Sequence, residues 1–358
     1  MTFIQSACKV NEIHLMIHAD ASLRFDAQLE SLNQALDEFC NSEGIGYHPV
    51  FLRYFLSDAA NQAETMNVFL AGNQRCAVSV VEQPPLDGSK VALWVYLMKD
   101  VEPNRLSDGL WEVIKDGYHH LWLGNSFCRG GDSEIQMRAL FENYIEVLKE
   151  NGATLADDCI RTWIFVQNVD VNYAGIVKAR REVFDKEGLT SSTHYITSTG
   201  IAGRNAYPDS SVIMDAYAVT GLAEGQIRYL YGSTHLNPTY EYGVTFERGT
   251  TVDYPDRRQI FISGTASIDN KGQIVHPGDV TRQTYRLLEN VSVLLEEAGS
   301  DFGDVMSMII YLRDISDYKS VRDIFDERFP DMPKVFLWAP VCRQGWLVEM
   351  ECIALKKL

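Results

Sequence analysis

Residues 136–170 and 283–317 are two copies of one segment and align without gaps. Gln136 meets Gln283, Leu140 meets Leu287, Glu142-Asn143 meets Glu289-Asn290, Leu148 meets Leu295, Gly152 meets Gly299, and Asp157 and Asp170 meet Asp304 and Asp317. Self-similarity of this kind marks a chain built from copies of one supersecondary unit, so the fold must repeat that unit. Each copy reads as a helix followed by a strand. Leu287, Leu288, Val291, Leu294 and Leu295 recur at helical spacing and stop at Gly299, where a helix C-terminus is predicted. Asp304 to Leu312 is an apolar, β-branched run predicted as a strand buried on both faces. A second helix turns Val321, Ile324 and Phe325 inward and is stopped by Pro330 and Pro333. WLVEMECIAL then closes the module as a strand. The matching pieces of the other copy are CIRTWIFV, the helix NYAGIVKARREVFDKEG and the strand SVIMDAYAV.

A weaker third copy occupies the N-terminal part, with FDAQLESLNQALDEF as first helix, VFLRYFLSD as strand and CAVSVVEQPPLDGSKVALWVYLM as a closing hairpin. Dividing 358 residues by three gives modules of about 119 residues, an ordinary domain size. The expected boundaries are 1–105, 106–235 and 236–358. No low-complexity linker separates them, so the modules are expected to pack together in an α/β fold of three tandem units.

The formal charge of −17 argues against nucleic acid or an anionic membrane as partner, and an anionic substrate would need a local basic pocket. No apolar run approaches the roughly 20 residues that span a bilayer, and MTFIQSACKVNEIH lacks a basic stretch followed by an apolar one, so a cytoplasmic location is expected. The seven cysteines form no C-x-x-C pair and are expected to be reduced. His119-His120 point to opposite sides of a strand and have no companion ligands, so no metal site is expected. Neither a G-x-G-x-x-G after a strand nor a G-x-x-x-x-G-K-[ST] is present, which removes support for nucleotide cofactors.

FISGTASIDNKGQIVHPGDVTRQTYRLLENVSVLLEEAGSDFGDVMSMIIYLRDISDYKSVRDIF, in the last hundred residues, resembles the RidA/YjgF family. That resemblance implies chorismate-mutase-like α/β units around a barrel-like centre with pockets between units, here as a covalent pseudo-trimer, itself a monomer or a small homo-oligomer. From about Pro84 onward the chain resembles the chorismatases, carried by RTW (161–163), the helix Tyr173 to Phe184, STGIAG (198–203), YGVTFERG (242–249), SGTASI (263–268) and CRQGWLVEMEC (342–352). The resemblance implies a cofactor-free enzyme that cleaves chorismate to pyruvate and a cyclic product. RidA-type imine deamination depends on an arginine in a P-x-R stretch, and here Pro333-Lys334-Val335 puts valine in its place. A deaminase and a non-catalytic binder of a small metabolic acid are therefore the alternatives.

Cleavage can begin by protonating the terminal methylene of the enol-pyruvyl ether, which needs an acid held above the ordinary glutamate pKa. Alternation along WLVEMEC puts Glu349 and Glu351 on one face. Aligning Met350 with Met214 sets Asp215 against Glu351 but Ile213 against Glu349, so only the last module has an acid at that position, and Glu349 is the candidate acid. The resemblance places Cys342 and Gly249 at product-determining positions, and that pairing points to 3-hydroxybenzoate. Two substrate carboxylates call for arginines, whose planar fork fits a carboxylate. The candidates are Arg161, Arg180, Arg248 and Arg343, with Tyr173, Thr199 and Gly200 as orienting contacts. Arg161, inside the apolar strand CIRTWIFV, needs an anion once buried; either substrate or a structural ion pair could supply it.

Overall fold

In the computed structural model, which describes residues 1–358, three successive stretches of chain each build one sheet with helices on one face. The first holds β1 (Phe3–Lys9), β2 (Glu12–His18), helix α1 (Phe25–Asn41), β3 (Tyr47–Leu56), helix α2 (Ala59–Asn73), β4 (Ala77–Glu82) and β5 (Val91–Lys99). The second holds β6 (Asn104–Arg105), β7 (Leu110–Lys115), β8 (Tyr118–Phe127), α3 (Ser133–Glu150), the short α4 (Leu155–Asp158), β9 (Cys159–Val166), α5 (Val169–Lys186), β10 (Thr197–Ala202) and β11 (Val212–Thr220). The third holds β12 (Ile227–Leu230), β13 (Gly249–Asp253), β14 (Arg257–Ala266), α6 (Val280–Glu297), β15 (Val305–Leu312), α7 (Tyr318–Arg328), β16 (Lys334–Trp338) and β17 (Val348–Lys357).

The strand orders β1-β2-β5-β3-β4, β7-β8-β11-β9-β10 and β13-β14-β17-β15-β16 are the same order three times, with β6 and β12 added at edges. In each, a helix joins two parallel strands (β3 to β4, β9 to β10, β15 to β16), the crossover a parallel pair requires. The expected closing hairpin of the first module is therefore corrected: β4 and β5 are neighbours in sequence, but β3 lies between them in the sheet, because β4 pairs parallel to β3 and β5 antiparallel to it. The sheets also divide the chain a few residues earlier than expected. Arg105 belongs to the second sheet and residues 227–230 to the third, since β6 pairs with β7 and β12 with β13.

One glutamine shows how the repeat works. Gln136 donates to the carbonyls of Gly130 and Asp209 and accepts from the Ser211 amide at 2.7 Å; Gln283 donates to His276 and Gly345 and accepts from Leu347 at 2.9 Å; Gln28 donates to Leu23 and accepts from Lys90 at 2.8 Å. In all three units one buried amide on the first helix ties the loop before that helix to the loop before the closing strand. Asp132 and Asp279 cap α3 and α6 through the amides of Ile135 and Arg282, and Gly152 and Gly299 end both helices at φ 71°.

Helices cover the outer face of each sheet, and the inner faces meet at a common interior. There Phe51, Trp94, Tyr96, Trp122, Trp163, Tyr217 and Phe261 pack ring on ring from all three sheets. This double burial explains why the central strands read as continuous apolar runs. Main-chain bridges link the sheets in a ring, Glu82 with Arg204, Ile201 with Val341 and Leu337 with Pro85. Arg53 of the first sheet pairs with Asp215 of the second at 2.8 Å, and Arg161 of the second with Glu351 of the third at 2.8 Å. All seven cysteines are free, and no helix is long and apolar enough to cross a membrane.

Candidate active site

A narrow cleft opens where the edge of the second sheet meets the third, with about 30 Å³ of free space within it. One wall is α5 and β10. Tyr173 and Arg180 lie two helical turns apart and so share a face, while Ser198 and Gly200 alternate onto the same side of β10. The opposite wall is Gly264 and Ala266 of β14 with Glu349 of β17. A strip with period two, Tyr242, Val244, Phe246 and Arg248, and a second strip, Cys342, Arg343 and Trp346, complete the lining and meet where Arg343 stacks on Tyr242. Gln283 fixes this second strip by holding both Gly345 and Leu347.

Glu349 owes its position to an irregularity in the sheet. Ile262 pairs with Cys352 and Thr265 with Met350, so β14 carries one extra residue at Ser263-Gly264, a bulge that bends the strand beside the acid. A Cβ on Gly264 would lie 2.2 Å from Glu349 Oε1. Only glycine admits the carboxyl there. Glu349 is buried and makes neither a hydrogen bond nor an ion pair with the protein, so its proton is available to the cleft. Burial first, and the charge of Glu351 second, push its pKa up to about 8 against the opposing pull of Arg161 and Arg248. At neutral pH it is mostly the protonated acid. Burial, with Glu349 adding, likewise pushes the Cys342 thiol up to about 12, so Cys342 is an uncharged wall and no thiolate nucleophile. Burial also keeps the Tyr173 hydroxyl protonated.

Arg180, Arg248 and Arg343 all line the cleft, and none forms an ion pair in a chain that carries 49 acidic residues. Arg180 Nε donates to Thr245 Oγ1 at 3.2 Å while its Nη2 is buried without a partner. Arg248 Nη2 donates to the Asn237 carbonyl at 2.9 Å while its Nε is buried without a partner. Arg343 stacks over Tyr242 and Trp346, its guanidinium carbon 4.5 and 5.0 Å from the ring centres. Buried guanidinium nitrogens left without acceptors, as in Arg180 and Arg248, are costly, and an entering anion would satisfy them.

Arg161, Thr199 and Gly249 do not reach the cleft wall. Arg161 is fully buried and donates to Glu351, to Thr199 Oγ1 and to Ser263 Oγ, so the anion it required is a structural carboxylate. Thr199 Oγ1 in turn accepts from the Gly264 amide at 2.9 Å, so the pair props the bulge behind Glu349. The space beside Gly249 is taken by the Phe261 carbonyl, Leu230 and Ile262, so it offers no room to a ligand. Sequence reasoning missed Ser198, Tyr242, Val244, Phe246, Gly264, Ala266, Ile268 and Trp346. Most lie within the quoted segments, and the alternation Tyr242, Val244, Phe246, Arg248 was a usable signal.

The two other junctions between sheets are different. Between the third and first sheets, His18 is hydrogen-bonded to Asp87 at 2.9 Å and Lys334 is paired with Asp326 at 3.1 Å, so these groups have partners within the protein. Between the first and second, the Val78 carbonyl sits 2.4 Å from where a Cβ on Gly124 would stand, so no space is left beside Gly124.

Residues 251–356 match the family model described as Endoribonuclease L-PSP. A RutC family protein of Pyrococcus abyssi is 34% identical over 100 residues, a match covering 27% of this chain and 79% of that protein. The chain belongs to the RutC family. Similarity extends well beyond this C-terminal third: a 3-hydroxybenzoate synthase of Streptomyces hygroscopicus is 26% identical over 269 residues, covering 64% of this chain and 73% of that one. A crystallised chorismatase shares the fold, with a TM-score of 0.67 over 86% of this chain and 92% of its own at 20% identity.

Proposed function

We propose that this member of the family cleaves chorismate to pyruvate and 3-hydroxybenzoate, with Glu349 as the acid, and that its three units are modules related by a pseudo-threefold axis with one of their three junctions active. The observation that carries the reading is a buried, mostly protonated carboxyl in the same cleft as three arginines that have no acidic partner. A dianion with an acid-labile group is what such a cleft suits. The similarity to a 3-hydroxybenzoate synthase supports the same choice.

In this mechanism the arginines hold the two substrate carboxylates and Glu349 gives its proton to the terminal methylene of the enol-pyruvyl ether, forming an oxocarbenium ion. The neighbouring ring hydroxyl oxygen then bonds to the ring carbon bearing the ether as that carbon–oxygen bond breaks. Pyruvate leaves with the ether oxygen, and the hydroxyl proton restores the acid. The resulting epoxide opens to the aromatic ring. Pyruvate and hydroxybenzoate together have the composition of chorismate, so no water is consumed and no redox step occurs. Water attack on the cation would instead leave a dihydroxy-cyclohexadiene acid. Tyr242, Phe246 and Trp346, which form much of the lining, favour the internal route by excluding water. The free space in the cleft is about 30 Å³, so a ring-sized ligand requires lining side chains to move aside. Incubation with chorismate and assay of pyruvate tests the reading, and absence of pyruvate release refutes it.

A further inference from the structure

A second cavity of about 210 Å³ lies beside the cleft, and Arg248 is the one residue that lines both. The two spaces differ in chemistry. Eight of the cleft's fifteen lining residues are apolar, whereas only four of the neighbour's fourteen are, and the neighbour is walled by hydroxyl-bearing residues, Thr190, Thr193, Tyr195, Ser233, Thr239 and Tyr240 among them, and opens to solvent where Thr193, Ser233 and Tyr240 are exposed. Such a surface orders water. Arg248 stands between the two spaces. Its Nη2 is held by the main-chain carbonyl of Asn237 at 2.9 Å and by Oδ1 of Asn237 at 3.3 Å, and its guanidinium carbon lies 5.4 Å from the Tyr242 ring centre and 5.6 Å from that of Phe246. Asn237 is itself buried and braced, donating to Glu241, while Thr239 donates to the Phe246 carbonyl at 2.6 Å and fixes the strip that Arg248 ends.

We infer that the Arg248–Asn237 pair is a water partition that decides the product, with Asn237 as a positioning residue acting through Arg248. The inference rests on the chorismate-cleaving reading. A substrate entering past Arg343 and Tyr242 stops that side of the cleft, and the wall shared with the hydroxyl-lined cavity is then the remaining path by which water reaches the cation or the epoxide. While the partition is closed, the ring hydroxyl displaces pyruvate and the aromatic acid forms. Opened, it lets water add its oxygen to the carbon that carries positive charge, and a diol acid leaves with the pyruvate.

The test is the product ratio per turnover in Asn237→Ala and in Arg248→Lys, which keeps the positive charge but cannot reach both Asn237 oxygens. The ratio is independent of how tightly either variant binds. Both should raise the ratio of diol acid to hydroxybenzoate severalfold, and adding Ser233→Trp, which narrows the outer cavity, should reverse part of that rise. Oxygen-18 in the ring would report water attack on the epoxide. An unchanged ratio in whichever variant folds overturns the partition while leaving chorismate cleavage standing, and so does a wild-type enzyme that already makes mainly the diol. Wild-type protein that releases no pyruvate refutes the underlying reading instead.

Discussion

Arg161 donates to Glu351 at 2.8 Å across the seam between the second and third sheets, and the same carboxylate accepts from the Trp163 ring nitrogen at 2.7 Å. Arg53 stands 4.0 Å from Glu351 and is paired with Asp215, so acids and arginines alternate through the interior and balance one another. Removing one partner of such a pair strands the other charge. Arg161→Met should destabilise the protein by about 3–5 kcal/mol, the range for breaking a buried pair. Substrate affinity should change far less, because Arg161 does not line the cleft. Denaturant unfolding beside a binding isotherm checks this, and a large affinity loss at unchanged stability would return Arg161 to the list of ligands.

Arg180 should behave in the opposite way. Its buried Nη2 has no acceptor in the free protein, so Arg180→Met removes an unsatisfied donor and should leave thermal stability unchanged or higher. Binding of the dianion should weaken by about 1.5–3 kcal/mol, the worth of a hydrogen bond to a charged group. Titration calorimetry with scanning calorimetry on the same variant reads both quantities.

The pH dependence has a definite sign. Glu349 must be protonated to act, so turnover should fall as pH rises through about 8. Its folded pKa lies above its unfolded value of 4.5, so its contribution to stability is complete below that value and is lost as pH rises to about 8. Glu349→Gln cannot ionise. Its melting temperature should therefore gain on wild type by a few degrees between pH 5 and pH 9, and melting curves at those two pH values decide the point. Parallel curves would mean that Glu349 titrates normally.

Gly264→Ala places a methyl 2.2 Å from where Glu349 Oε1 now lies. The carboxyl must move, so turnover should drop by about a hundredfold or more, the size of a general-acid contribution. Binding of a non-reactive dicarboxylate should persist, since the three arginines are untouched. Turnover close to wild type would show that the acid need not sit where it does.

The repeat, the helix ends at Gly152 and Gly299 and the inward face of Glu349 were all legible in the sequence, because spacing and residue type alone determine them. Helix α2 was not: its buried residues, Ala59, Gln62 and Met66, make no apolar stripe, so the crossover that makes β4 parallel to β3 went unread and β4 and β5 were taken for a hairpin. That Arg161 needs an anion followed from its strand, but Glu351 lies 190 residues away on another sheet, and only the packing of the units supplies it. Gly249 was misjudged for a related reason: which side of β13 faces the cleft depends on pairing with β14, which the local sequence does not encode.

The most direct measurement is turnover of chorismate by wild-type protein and by Glu349→Gln, with pyruvate quantified enzymatically and the ring product identified by mass. Wild type should give equimolar pyruvate and 3-hydroxybenzoate, and Glu349→Gln should lose nearly all release while remaining folded and still binding substrate. Pyruvate release by Glu349→Gln at the wild-type rate, or none from wild type, would contradict this.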